Sequence, residues 1–313
     1  MPTIRQLKRR IQSVKNTAKI TNALQLGAAS KMRRAQDRAG QAKPYAEKLR
    51  TVLAGLASQS QGEGDAVLHP LLETRPVRNI AVLHITPDRG LCGGLNSNIN
   101  RSGGTFVAMQ HEPVQVVAVG KKGREFFTRA HVHIAAEFTE LGDYPAQADT
   151  LAIARLIMDD YLAGVVDRVY VSFAQFVSTA TQRPTVRQLL PIEPPAMEGD
   201  SEAFLSDYIF EPSPEVVLAR LLPRYIEMQI YEAILQNAAS FQSAQMVAMK
   251  NATDNANEIT RELTLTYNKA RQEQITKELL KTYPDLKGFQ GSAATDVVGI
   301  GQAVEEAGLQ DQT

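Results

Sequence analysis

Apolar or small residues recur at Ile4, Leu7, Ile11, Val14, Ala18 and Thr21, in steps of three and four. That spacing draws one stripe along a helix and has the seam period of a coiled coil. Leu24, Ala28, Met32 and Ala35 continue the stripe, so a long helix is predicted from about Thr3. Pro44 lacks an amide proton, and its ring crowds the carbonyl four residues before it. A kink or break is expected there, with the helical pattern resuming from Tyr45 to about Leu56. The stretch 59–66, Gln-Ser-Gln-Gly-Glu-Gly-Asp-Ala, reads as a loop.

The period then changes. Ile80–Ile85, Val114–Val119, Val132–Phe138 and Val169–Phe173 are short β-branched runs, with helical stretches at about 93–109, 121–129 and 148–164. Strand alternating with helix predicts a Rossmann-like α/β domain with a largely parallel sheet. Thr185–Ile192 and Asp207–Phe210 read as later strands near an edge.

The second long helix has a clear start. Ser213 can cap it, Pro214 suits its first position, and Glu215 complements its dipole. Leu218, Leu221, Leu222, Tyr225 and Met228 form its first apolar face, and Pro223 predicts a kink. From Arg224 to Thr282 nothing interrupts the pattern, which at 1.5 Å per residue is a rod of roughly 90 Å. A helix that long needs covering by a partner helix or another protein. Pro284 ends it, and the Gly-rich polar stretch that follows predicts a flexible tail. The expected organisation is a helix at 1–58, an α/β domain at 59–212, a helix at 213–283 and a tail at 284–313. The two long helices fold back on each other as an antiparallel coiled coil with the α/β domain inserted between them.

Charge adds a polarity that the totals hide. The 313 residues carry 34 Lys and Arg against 34 Asp and Glu, yet positions 1–50 hold thirteen bases and only two acids, Asp37 and Glu47. A basic arm on a neutral chain points to an anionic partner: nucleic acid, a membrane surface or an acidic protein face. The single cysteine, Cys92, excludes an internal disulfide. No apolar run is long enough to span a membrane. No apolar segment follows the basic start, so neither a secretory signal nor a pre-sequence is expected.

Few residues offer chemistry. Arg5, Lys8, Arg9, Arg10, Lys15 and Lys19 could track phosphates, meet acidic loops or face solvent. No aromatic side chain interleaves with them, which disfavours single-strand nucleic acid. Asp88-Arg89-Gly90-Leu91-Cys92-Gly93-Gly94 follows a strand and precedes a helix. Such a turn can hold phosphate on helix N–H groups, but it matches neither dinucleotide nor P-loop spacing. The structural alternative is a tight turn needing positive φ or close backbone approach. The five histidines, His69, His84, His111, His131 and His133, lack ligand spacing, and His131 and His133 fall on a predicted strand. Cys92 reads as a packed thiol. Residues 236–257 are rich in Gln, Asn, Ser and Ala, with only Lys250 and Asp254 charged. Such a face could slide within a protein sleeve or form a close-packed seam.

Three long motifs carry a family resemblance. Ser13-Val14-Lys15-Asn16-Thr17 with Lys19-Ile20-Thr21, then Ala29-Ser30-Lys31-Met32-Arg33-Arg34-Ala35-Gln36, resemble the first helix of the gamma subunits of F-type ATP synthases. Asp88 to Asn96 resembles that family's central motif. Met249-Lys250-Asn251-Ala252-Thr253-Asp254-Asn255-Ala256, Leu263-Thr264-Leu265, Tyr267 to Gln272 and Ile275-Thr276 resemble its second helix. The similarity covers about 1–280. The chain departs from the family after Lys281, where Pro284 and some thirty further residues replace a short apolar helical end. The single Cys92 argues against the cysteine-containing regulatory segment of plant-type members.

The resemblance implies a central rotor shaft with no catalytic site, cofactor or metal of its own. Its coiled coil would sit inside a ring of three alpha and three beta subunits. The α/β domain would meet the epsilon subunit and the membrane-embedded c-ring. No transmembrane span and no nucleic-acid partner are expected, and the implied place is the cytoplasmic face of a bacterial cell membrane. Lys19, Leu24, Arg271, Gln272, Thr276 and Glu278 match regions that contact beta subunits, and Arg89 is a further candidate. Two rivals are a stand-alone nucleotide enzyme, which would need a phosphate motif or a catalytic triad, and a nucleic-acid-binding coiled-coil adaptor.

Overall fold

The computed structural model describes residues 3–60, 69–193 and 213–282. A long helix α1 (Ile4–Ser60) is followed by a 3-10 turn at Pro70–Leu72 and strand β1 (Ile80–Ile85). Then come α2 (Leu95–Ala108), β2 (Val114–Val119), α3 (Lys121–Arg129), β3 (Ile134–Phe138) and α4 (Gln147–Leu162). β4 (Arg168–Phe176), β5 (Gln182–Leu190) and the long α5 (Pro214–Thr282) complete the order. The chain divides into two compact units, one of Met1–Gln25 with Met249–Thr313 and one of Leu26–Ala248. The division falls inside both long helices.

In the first unit α1 and α5 form an antiparallel seam of small and apolar residues. Leu7, Ala18, Thr21, Met249 and Ala256 are buried. The Thr21 and Thr253 hydroxyls meet across it at 2.6 Å. Each hydroxyl also reaches a carbonyl of its own helix, that of Thr17 for Thr21 and that of Met249 for Thr253. Hydroxyls with partners on both sides carry no desolvation debt as the seam closes over them, and small side chains let the two backbones approach closely.

The second unit holds a five-stranded sheet in the order β3-β2-β1-β4-β5. β1 to β4 run parallel, and β5 pairs antiparallel with β4 through a short hairpin. All six residues of β1 are buried, so apolar and polar positions do not alternate there. A strand covered on both faces needs no polar side. One face packs Leu83, Ile85, Val171 and Phe173 against Ile153, Ile157 and Tyr161 of α4 and Leu218, Leu222, Ile226 and Ile230 of α5. The other face packs Val116 and Ala118 against Phe127 of α3. A Cβ added at Gly103 of α2 or Gly123 of α3 would come within 2.7 Å of the buried His84 ring. These two glycines let both helices close on that ring, which repays their poor helix propensity.

Several expectations change. α1 is not broken at Pro44: it runs on to Ser60, so Gln59 and Ser60 belong to the helix and not to a loop. Pro44 and Gly40 are both exposed, so the carbonyl that Pro44 leaves unpaired faces water, and Leu49 and Leu53 bury apolar surface beyond it. α5 runs through Pro223, where the sequence predicts a kink and not a break. β3 starts at Ile134, and His131, at φ 54°, sits in the turn before it. The His131–His133 pair is therefore exposed and not on a strand. β5 starts at Gln182, earlier than expected, because the hairpin pairs Phe176 with Gln182. The remainder of the predicted 59–66 loop, the Asp207–Phe210 strand and the predicted flexible tail lie outside the described residues.

Candidate functional site

The motif after β1 is a structural clasp. The Asp88 carboxylate accepts from the backbone N–H of Lys121 at 2.9 Å and of Glu140 at 3.1 Å. One side chain thus caps the start of α3 and holds the loop that leaves β3. The backbone carbonyl of Arg89 accepts from the Asn96 amide at 3.1 Å. Positive φ falls on Leu91 (62°) and Gly93 (59°). Gly93 passes close to α5, since an added Cβ would lie 3.9 Å from the Ala248 methyl. Cys92 is buried with Leu95, Ile99, Ala174, Phe241 and Ala244. Burial pushes its thiol pKa up, as expected of a packed thiol. The turn is therefore a packing element laid against α5, and the phosphate-cradle reading finds no support in it.

Polar residues of α5 fasten the helix to the β4–β5 hairpin. Asn237 Oδ1 accepts from Ala174 N–H at 3.4 Å, and Ser240 Oγ donates to the Ala174 carbonyl at 3.0 Å. Ser243 Oγ donates to the Thr179 carbonyl at 2.7 Å and accepts from Gln182 at 3.4 Å. Residues 236–244 of the low-charge stretch are thus anchored within the α/β unit and are not a sliding face. The seam reading holds for the following part, where Met249 and Ala256 are buried while Lys250 and Asp254 face out.

His84 is the buried polar centre of the sheet. Its Nδ1 lies 3.1 Å from Ser172 Oγ and its Nε2 3.0 Å from Asn100 Oδ1. The Asn100 oxygen can only accept, so Nε2 carries the proton and Nδ1 accepts from the serine. Burial lowers its pKa to about 4, against a smaller raising effect from Asn100. The sequence had shown only that it lacks ligand spacing. Among the described residues no group of His, Cys, Asp and Glu is arranged to hold a metal ion.

The partner-contact candidates fall in both units. Lys19, Leu24, Arg271, Gln272, Thr276 and Glu278 lie in the helical unit and Arg89 in the other. Lys19 and Arg271 are exposed and Leu24 is partly so. Gln272 is half-buried, and Glu278 is exposed with Gln274 donating to it at 2.9 Å. Thr276 is buried, and its hydroxyl donates to the Gln272 carbonyl at 2.9 Å. The Thr21–Thr253 pair sets the antiparallel register. It places Lys19 and Leu24 level with about 250–255, whereas Arg271 to Glu278 lie roughly 30 Å further along, at and past the first turn of α1.

Apart from Leu24, sequence reasoning did not single out the exposed apolar residues of this unit. Ile20 is 61% exposed and Leu265 57%, and Ile259 and Leu279 are also open. Among the described residues none of Arg5, Lys8, Arg9, Arg10, Lys15 or Lys19 forms an ion pair. Part of the basic arm is instead held inside the α/β unit. Lys31 pairs with Asp143 at 2.7 Å, and Arg34 and Arg38 lie over the Tyr144 ring. Arg89 is 71% exposed and reaches Asp143 at 3.8 Å.

The pattern of the ATP synthase family matches residues 3–281. A relative from Dehalococcoides mccartyi, an ATP synthase gamma chain, is 55% identical over 281 residues, covering 90% of this chain and 96% of its own. The gamma chain of Roseiflexus castenholzii is 48% identical, with 89% and 96% covered. The chain belongs to the ATP synthase gamma chain family. A gamma chain is a non-catalytic rotor subunit of ATP synthase, which fits a molecule of long helices and a sheet whose strand-end motif is a clasp. Solved structures agree on the fold. The central stalk and c-ring of Tetrahymena thermophila mitochondrial ATP synthase matches at TM-score 0.57 and 24% identity, covering 74% of this chain and 99% of that one. The rotor of Euglena gracilis mitochondrial ATP synthase matches at TM-score 0.61 and 17% identity, covering 87% and 98%.

Proposed function

We propose that this gamma chain carries rotation of a membrane c-ring, driven by protons or sodium ions, to the catalytic beta subunits of an alpha/beta hexamer. The observation that carries the reading is the surface of the helical unit, where unpaired bases and exposed apolar residues flank a tightly closed seam. Lys19 and Leu24 form one contact level and Arg271, Gln272 and Glu278 a second, with buried Thr276 holding the second level from inside. Arg89 is a contact of the α/β unit. A shaft that shows three different faces to three identical beta subunits biases each toward a different conformation, so their nucleotide affinities differ. Rotation exchanges those states. The α/β unit docks on the epsilon subunit and the c-ring, and the chain works as a peripheral protein at the cytoplasmic face of a bacterial membrane. No nucleic acid takes part.

Exposed ion pairs contribute about 0–1 kcal/mol each, so Lys19→Ala alone should leave most ATP synthesis in membrane vesicles. Joint alanine substitution of Arg271, Gln272 and Thr276 should cut coupled synthesis or assembly severely, and an unimpaired triple variant would remove the second contact level. Co-purification with alpha and beta subunits tests the partner assignment directly.

A further inference from the structure

The C-terminal ends of β1 and β2 open into a cavity of about 340 Å³ that the rotor reading does not use. It lies wholly within the α/β unit, between the sheet, the loop after β3 and one face of α5. Ile85, Val119, Phe138, Leu141, Ile234 and Phe241 give it apolar walls. In α/β folds the carboxyl ends of parallel strands are where small molecules bind, in pockets that are apolar apart from a few placed polar groups.

The charges at its rim balance. Asp88 accepts two backbone N–H groups, Lys121 pairs with Glu140 at 2.7 Å, and Asp143 is met by Lys31 at 2.7 Å and Arg89 at 3.8 Å. Three acids face three bases, so the rim has no net charge with which to hold an ion. Thr86 is satisfied as well, since its hydroxyl donates to the Val119 carbonyl and accepts from Gly123 N–H. Gln242 Oε1 has no partner, but it is sealed from water and does not open into the cavity.

Asn237 differs from all of these. It lines the cavity from α5 and is 5% exposed. Its Oδ1 accepts from Ala174 N–H, which fixes the amide and turns Nδ2 the other way. Among the described residues Nδ2 donates to no group, and unlike Gln242 Oε1 it is not closed off from water. The cavity is the space that Asn237 lines, so this donor opens into it. A donor in so enclosed a site meets an incoming acceptor with little competition from solvent.

We propose that this cavity binds a small uncharged molecule built of one apolar ring and one carbonyl. The ring packs on Phe138 and Phe241, and the carbonyl oxygen accepts from Asn237 Nδ2. The proposal is independent of the partner contacts on the helical unit.

Acetophenone and α-methylstyrene are the probes. They share ring and shape, and in the second a methylene group replaces the carbonyl oxygen. Each is titrated into the purified full chain and followed by ligand-detected NMR. Acetophenone should bind saturably. Its affinity relative to α-methylstyrene should be roughly 3- to 10-fold higher in this chain than in Asn237→Leu, the factor one hydrogen bond contributes. That variant keeps the side-chain shape and removes the donor. Ala238→Phe, which fills the cavity from α5, should abolish binding of both probes. Absence of saturable acetophenone binding, an equal affinity ratio in the two chains, or unchanged binding in a folded Ala238→Phe chain overturns the proposal. If circular dichroism shows a variant unfolded, this chain with isotope-labelled asparagine decides. Its Asn237 side-chain amide signals should move further downfield with acetophenone than with α-methylstyrene, and equal movement or none overturns the proposal too.

Discussion

At the residue scale the most consequential group is His84. It is fully buried and neutral, held by Ser172 and Asn100, with Phe127 edge-on at 5.0 Å. Its pKa is about 4 in the folded chain against an ordinary 6.5. The unfolded chain therefore binds the extra proton first as pH falls. The stability this residue contributes is complete above pH 6.5 and is lost between 6.5 and about 4. The slope approaches about 1.4 kcal/mol per pH unit within that window. Urea unfolding of the full chain between pH 7 and 5 should show a falling midpoint. A His84→Gln chain, which cannot take up that proton, should show a flatter profile, and parallel profiles would contradict the assignment. Nothing in the spacing of the five histidines marks His84 out, because its environment comes from Asn100 and Ser172, distant in sequence.

At the element scale α1 overrides one of its own local signals. Pro44 predicts a kink or a break, and of the two the break does not occur, since α1 passes through it. An interior proline costs about 3 kcal/mol in an isolated helix. Here the freed Gly40 carbonyl faces solvent, and burial of Leu49 and Leu53 on the far side of Pro44 offsets the loss. Pro44→Ala restores the missing bond and should stabilise the chain by about 1–2 kcal/mol, part of the helix-interior cost of proline, measured as an upward shift in the urea midpoint. A lower midpoint would show that the proline is needed for the path of the helix. The low-charge stretch of α5 illustrates the same limit. Its Asn and Ser residues read in one dimension as a sliding face or a seam, but Asn237, Ser240 and Ser243 satisfy the end of β4 and the hairpin turn. A polar residue on a helix shows its role only when its hydrogen-bond partner is known.

At the scale of the whole molecule the two compact units differ in how complete they are. The α/β unit closes cores on both faces of its sheet. The helical unit leaves Ile20, Ile259 and Leu265 open to solvent. Exposed apolar residues on a two-helix unit mark surface that a partner covers. Hydrogen exchange on the isolated chain should therefore find weak protection at 3–25 and 255–282 and strong protection in β1 and β4. Assembly with alpha and beta subunits should raise the helical protection. Strong, even protection of both helices without partners would mean that the unit is self-sufficient.

The sequence alone determined the order of elements, the parallel α/β character and the two long helices, because periodicity and β-branched runs are local properties of the chain. It also carried the family, through three motifs whose order no short pattern reproduces by chance. It brought forward Lys19, Leu24, Arg89, Arg271, Gln272, Thr276 and Glu278 as partner-contact candidates by resemblance, whereas their burial, from exposed Lys19 to buried Thr276, came from the structure. Only the tertiary structure decided that Asp88 clasps the start of α3 and the loop after β3, that Thr276 is buried, that α1 runs unbroken through Pro44 and that Gln242 Oε1 lacks a partner. Each of these depends on groups brought together from distant parts of the chain. Spacing along one strand or helix holds no record of such pairs.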